Sequence, residues 1–305
     1  MIALPFSDGW VAQNLDIALF YMFAMMSLEV IGVILAGYSS GSKWSLFGGM
    51  REAAQVVSYE IPMAICALVP IVSVGTLNLV ELGRVQSGWF TNWLIFENPF
   101  CFIAFFCYFT VATASVKRAP FDLAEAESEL VAGFHTEYSG IRWSYFFMAE
   151  YSSMLTVSGI ACYLFLGGWH TGLPIIPESM EGGLIANLIG LVVFVLKASV
   201  LVCVQIWVRW TLPRLRIDQV MMTCLKYLVP ISCFLFLGAI SWPLMIHAMT
   251  SGKSTGLPIS RPMGARLYRK VLQREQPPAV AAALPVKPAE KAAPKPAAPA
   301  TKGDH

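Results

Sequence analysis

Six stretches of the chain stay apolar for a length that crosses a bilayer as helix: about Leu15 to Gly37, Ala53 to Val80, Pro99 to Lys117, Trp143 to Gly168, Leu184 to Val208 and Tyr227 to His247. At ~1.5 Å of rise per residue, roughly 20 residues cover the ~30 Å hydrocarbon core. The second stretch exceeds that length and predicts a helix that tilts or projects beyond the lipid. Membrane strands would read as alternating segments of about ten residues, a pattern the sequence does not show. The fold class expected is therefore all-α, a polytopic transmembrane helical bundle of about six spans.

Between the third and fourth stretches runs RAPFDLAEAESELVAGFHTEYSG, Arg118 to Gly140. It holds five carboxylates, Asp122, Glu125, Glu127, Glu129 and Glu137, with no Lys or Arg between Arg118 and Arg142. Uncompensated negative charge against a bilayer repels itself, so the loop suits the handling of protons or cations better than plain connection. Pro120 fits a first helical position, Asp122 the anion-favouring first turn and Gly133 the stop. On such a helix Asp122, Glu125 and Glu129 share one face and Glu127 points elsewhere. A solvated acidic helix touching a soluble partner is the competing explanation.

Composition agrees with the pattern. Hydrophobic residues make up 56% of the 305, charged residues 13%, and mean hydropathy is +0.62, where soluble domains carry about 25% charge. Lys and Arg concentrate in alternate loops: Lys43, Arg51, Lys117, Arg118, Arg142, Arg209, Arg214, Arg216 and Lys226 on one side, against Arg84 on the other. The positive-inside rule makes loops one, three and five cytoplasmic and both chain ends external. The chain divides into a transmembrane domain over 1–250, a basic juxtamembrane segment over 251–275 and an Ala/Pro/Lys tail over 276–305, whose composition offers no bulky apolar anchor for folding.

The seven cysteines form no CxxC pair and neighbour no His at ligand spacing. Small apolar packing residues are the expected role. No motif for iron–sulfur, haem or nucleotide is present, so any electron transfer falls to a partner.

Ionisable residues inside the spans are more informative. Measured from the expected cytoplasmic ends, Glu60 and Glu150 lie ~10 Å deep, Glu29 ~12 Å and Lys197 ~18 Å. Taken singly, each could snorkel or pair to serve helix packing. Three carboxylates at one level above a lysine suggest a polar path, and burial that favours the protonated carboxyl suits a proton relay.

The acidic loop followed by FFMAEY, Phe146 to Tyr151, resembles the H-type membrane subunit of bacterial NADH-quinone oxidoreductase, respiratory complex I, and its mitochondrial counterpart, NADH dehydrogenase subunit 1. Leu35 to Pro62 resembles that family's junction of third and fourth helices, and Trp207 to Pro230 its penultimate cytoplasmic loop. The likeness covers about Leu15 to Met245 and starts near the exit of the family's second helix. The family's first two helices, and the GRMQ and GPNR motifs between them, have no counterpart in the chain.

The resemblance implies a subunit without a redox centre in a multi-pass bacterial inner-membrane complex. Such a subunit forms the membrane side of the chamber where ubiquinone or menaquinone is reduced by the terminal iron–sulfur cluster of a docked hydrophilic arm. FMN, NADH and iron–sulfur clusters belong to partner subunits, other membrane subunits flank it, and no nucleic acid is involved. It further implies a proton path through Glu60, Glu150, Asp122, Glu125, Glu127, Glu129, Glu137 and Lys197, with Glu29 carried over more weakly. Arg118, Phe121, Arg209, Arg214 and Arg216 would serve the quinone chamber or arm docking. Two rivals stand beside this reading. A membrane subunit of a membrane-bound hydrogenase or formate hydrogenlyase is disfavoured by the intact PFDLAEAESELVAGF run. A stand-alone cation transporter is disfavoured by the absence of an inverted repeat.

Overall fold

The structure, a computed structural model, describes residues 4–122, 132–172 and 183–249. No strand occurs among them. The helices are α1 (Ala18–Ser39), α2 (Lys43–Val74), α3 (Leu79–Val85), α4 (Leu94–Glu97), α5 (Pro99–Ser115), α6 (Ile141–Phe165), α7 (Leu184–Thr211), α8 (Ile217–Met221) and α9 (Val229–Met249). Short 3-10 turns occupy Phe90–Asn92 and Gly133–His135. A π-helical stretch, Met222–Leu228, joins α8 to α9 without a break. The widened turn sits just before Pro230, whose missing N–H and bulky ring disturb the regular ladder one turn back.

Of the six expected spans, four are long and apolar enough to cross a membrane: Ala18–Ser39, Lys43–Val74, Leu184–Thr211 and Ile217–Trp242. Helix α5 has the apolar character but only 17 residues, and α6, with 25, mixes in more polar ones. The bundle is organised around α2, which packs against α1, α5, α9 and the Gly133–His135 turn, while α6 packs on α7. Burial shows the same centre: 56% of the apolar window of α2 is buried, against 28% in α1.

The second span differs from expectation at both ends. It begins at Lys43 rather than Ala53, because KWSLFGGMRE is helical despite its polarity. Glycines make this possible. A Cβ on Gly48 would stand 2.8 Å from the backbone nitrogen of Phe134, and one on Gly37 of α1 2.8 Å from the carbonyl of Ser45. Ser45 Oγ donates to the Phe134 carbonyl at 2.7 Å across this close approach. Gly48→Ala is expected to cost about 1–3 kcal/mol by pushing the turn off α2. Gly32→Ala, whose Cβ meets nothing within 4 Å, should stay within ~0.5 kcal/mol. Thermal midpoints of the solubilised protein check both.

At its other end α2 stops at Val74 rather than Val80, where Gly75 turns left-handed (φ 84°) and donates to Ile71 O at 2.6 Å. The residues that follow fold back as α3 and α4 over the end of the bundle. Buried Gln86 pins them: Nε2 donates to Tyr163 O (2.7 Å) and Leu82 O (3.2 Å), and Oε1 accepts from Leu94 N (3.3 Å) and Gly167 N (3.0 Å).

After α5 the chain reverses at Lys117, whose φ is 60°, and Phe121 N donates to Arg118 O at 2.9 Å. Pro120 therefore lies in a turn and is not the first residue of a helix. Its carbonyl accepts from Leu215 N at 3.0 Å, tying this turn to the loop after α7. Glu125, Glu127 and Glu129, and with them the shared acidic face, lie outside the described residues, as do the juxtamembrane segment and tail beyond residue 249.

Candidate functional site: an ionic cluster between two cavities

Four helices bring charged side chains to one place. Helix α1 contributes Ser27 and Glu29, and α2 a polar face of Glu52, Gln55 and Tyr59 at i, i+3 and i+7, with Glu60 beside it. The reversal after α5 contributes Lys117 and Arg118, and α6 contributes Glu150.

Lys117 is the centre of the cluster. Its Nζ lies 2.9 Å from Glu52 Oε1 and donates a hydrogen bond to Glu29 Oε1 at 3.4 Å. The Glu52 side chain is 1% exposed, and apart from the Lys117 ammonium it meets no donor among the described residues. A buried carboxylate left without a counter-charge costs several kcal/mol, so Lys117 holds Glu52 in place. Next to it, Arg118 grips Glu150 with both arms of its guanidinium: Nε to Oε1 at 2.5 Å and NH2 to Oε2 at 2.8 Å. The guanidinium also lies 5.3 Å from the Phe147 ring centre and 5.0 Å from that of Tyr151, a cation–π arrangement. Glu60 Oε1 accepts from Ser27 Oγ at 2.6 Å.

Two cavities meet at this cluster. One, of about 250 Å³, is bounded by Phe23, Ser27, Tyr59, Glu60 and Met63. The other, of about 280 Å³, is bounded by Val33, Phe134, Phe146, Ala149 and Glu150. Glu29 and Lys117 line both.

The structure thus brings Glu29, Glu60 and Glu150 together, though not at one level. Because α2 starts at Lys43, Glu60 lies ~25 Å along its helix instead of ~10 Å. Lys197 does not join them. Its Nζ donates to the carbonyls of Leu166 (2.7 Å), Gly168 (3.2 Å) and His170 (2.6 Å) and sits 4.3 Å from the Trp93 ring centre. These carbonyls follow the end of α6, ~24 Å along that helix from Glu150, so Lys197 clamps the opposite end of the bundle.

The loop residues are placed more openly. Asp122 pairs with Arg214 at 2.8 Å with both side chains partly exposed, a geometry that stabilises modestly. Glu137 and Arg216 are exposed, and Arg216 caps α8 through its backbone N–H, which donates to Gln219 Oε1 at 3.1 Å. Arg209 faces a small space shared with Arg118 and Gln205. Phe121 is core, 4% exposed, and its carbonyl accepts from Gln55 Nε2 at 2.9 Å. Among the described residues no group of three or more His, Cys, Asp or Glu is arranged to hold a metal.

Glu52 and Lys117 are the members that sequence reasoning missed. With the second span begun at Ala53, Glu52 fell just outside it, and Lys117 counted only as a cytoplasmic loop charge. The available signal was helical: Glu52 falls on the same face as Gln55 and Tyr59 once α2 is extended backwards.

An all-helical membrane bundle with carboxylates and two basic residues clustered between its helices defines a membrane protein with a built polar interior. Comparison with known proteins makes this specific. The profile of the NADH dehydrogenase family matches residues 1–240, and the chain belongs to that family. It is 43% identical over 257 residues to the H-type subunit of NADH-quinone oxidoreductase from Anaeromyxobacter dehalogenans, covering 80% of this chain and 62% of that relative. To the corresponding subunit of Chlorobium luteolum it is 43% identical over 246 residues, 80% of this chain and 66% of the relative. For Dehalococcoides mccartyi the figures are 44% over 230 residues, 75% and 59%. The chain spans a little under two thirds of the length of these curated relatives.

Proposed function

We propose that this chain is a membrane subunit of a proton-translocating NADH:quinone oxidoreductase in the bacterial inner membrane. In this reading it forms part of the quinone-reduction chamber and the acidic mouth of a proton path. The observation that carries the reading is the run of ionisable groups, Glu60, Glu29, Lys117 and Glu150, along two adjoining clefts that are partly open at the surface of the helix bundle. The name shared by the relatives supports it. The chain itself supplies no redox chemistry: FMN, iron–sulfur clusters and the NADH site reside in partner subunits, and quinone is a substrate. Asp122, Glu125, Glu127, Glu129 and Glu137 gather cations at the cytoplasmic mouth. Arg214 balances Asp122, and Arg209 and Arg216 face the docked arm. Glu60 and Glu150 then hold and pass protons within the bundle.

The test is Glu60→Gln, which keeps shape and a hydrogen bond to Ser27 but cannot titrate. NADH-driven quinone reduction coupled to proton uptake should fall about tenfold or more, with the amount of assembled complex unchanged on native gels. Glu150→Gln should lower proton translocation per assembled copy in the same direction, while the stranded Arg118 charge lowers the amount of complex that assembles. Unaltered turnover and unaltered proton translocation in both variants would remove them from the path. A chain that purifies alone from mild detergent, without NADH-oxidising iron–sulfur subunits, would point to a stand-alone transporter.

A further inference from the structure

Between the two cavities stands a pair of side chains that the proposed path does not by itself explain. Glu29 and Lys117 are shared by both linings, so the pair forms the wall between them. The two arms of Lys117 are unequal. On the Glu52 side the ammonium is 2.9 Å from a carboxylate that is 1% exposed and meets no other donor among the described residues. On the Glu29 side it reaches 3.4 Å to a carboxylate whose side chain is 28% exposed.

We propose that Lys117 is a charge-operated partition in the proton path, anchored on Glu52 and released from Glu29 when Glu29 takes up a proton. This rests on the proton-path reading above. A protonated Glu29 loses its attraction for the ammonium, whereas buried Glu52, which pairs with no other cation among the described residues, keeps it. Lys117 then falls back on Glu52, and the wall between the Glu60 cavity and the Glu150 cavity opens. Loss of that proton to the next acceptor restores the Glu29 carboxylate and draws Lys117 back. Nothing is oxidised or reduced; one proton is bound and released, and Lys117 stays an ammonium throughout. Among the described residues, the charged and titratable groups facing Lys117 are Glu29 from α1, Glu52, Tyr59 and Glu60 from α2, and Tyr145 and Glu150 from α6, the last with its partner Arg118. Lys117 is accordingly a positioning residue, acting through Glu29.

This separates the roles of the two acids. Glu52 is an anchor whose replacement is tolerable only together with Lys117, and Glu29 is the trigger. A purely structural ion pair behaves differently, because losing it lowers the amount of complex without changing what each assembled copy does.

The experiment uses the whole complex in inside-out membrane vesicles. Quinone-dependent proton uptake per NADH is measured on each variant and normalised to NADH:ferricyanide activity as a count of assembled NADH-oxidising arms. Glu29→Gln, which leaves the Lys117–Glu52 pair in place, and the paired replacement Lys117→Met with Glu52→Leu should each lower protons per NADH to half or less in the copies that assemble. Lys117→Arg, which keeps the charge, should recover most of the ratio. Because Glu29→Gln is isosteric, it answers even where the paired variant fails to assemble. An unchanged ratio in assembled Glu29→Gln complex overturns the partition and leaves the pair structural. A wild-type complex that reduces quinone without moving protons overturns the underlying path as well.

Discussion

Lys197→Met is expected to remove most of the assembled chain from the membrane complex. Three backbone carbonyls, those of Leu166, Gly168 and His170, accept from one ammonium, and the Trp93 ring closes over it. The segment they belong to connects the end of α6 to the rest of the bundle and carries Trp169, which packs against Gly83 of α3. Methionine fills the same length but donates nothing. A buried carbonyl that loses its donor costs ~1–3 kcal/mol, and with three hydrogen bonds lost at once the change should reach about 3 kcal/mol. That is a large share of the stability a single domain has. Native gels and the thermal midpoint of the solubilised complex read it. If Lys197→Met assembles normally and only proton translocation falls, the lysine belongs to the path and not to the scaffold.

Arg118→Met should act almost as strongly through a different route. The guanidinium meets Glu150 with one hydrogen bond and one close ion-pair contact, in a site where the side chains are 14% and 7% exposed. Removing one partner of such a pair strands the other charge and costs about 3–5 kcal/mol. Lysine in place of Arg118 restores a charge but not the fork, and it stacks less well on Phe147 and Tyr151. It should recover less than half of the loss. Pairing Arg118→Met with Glu150→Gln should be milder than the sum of the two single changes, a coupling that a double-mutant thermal-stability cycle measures.

Much of this architecture was legible in the hydrophobic pattern. The spans around α1, α5, α6 and α7 fall within a few residues of their predicted positions, because each is bounded by polar or glycine-rich sequence. The beginning of α2 was not legible. Its first turns are polar on the surface and are held by two glycines that allow Phe134 and α1 to approach, a contact between residues far apart in sequence. The same long-range closure hid Glu52. Hydropathy places residues by depth alone, and it assigned Glu29, Glu60 and Glu150 to one level. The structure joins them sideways, through Lys117, a residue that charge counting placed in a loop. Lys197 shows the converse: its depth was read from its own helix, but its hydrogen bonds go to carbonyls at the end of another. The acidic loop motif remained the best sequence signal for the family, since its type and order of residues are matched as a whole and not through any single contact.

The backbone at Lys117 has a further consequence, for how this sequence can change over generations. With φ at 60°, an ordinary side chain there carries a penalty of about 1 kcal/mol or more that glycine avoids and asparagine partly escapes. Position 117 therefore answers to two independent demands, one on the shape of the turn and one on charge. Substitution by Gly or Asn eases the first while abandoning the second, whereas Met or Leu keeps the backbone penalty that Lys117 already carries and loses the charge as well. Drift through Gly or Asn, together with loss of the Glu52 charge that Lys117 balances, is a route by which a descendant could lose the ammonium and still keep the turn that carries Arg118 to Glu150.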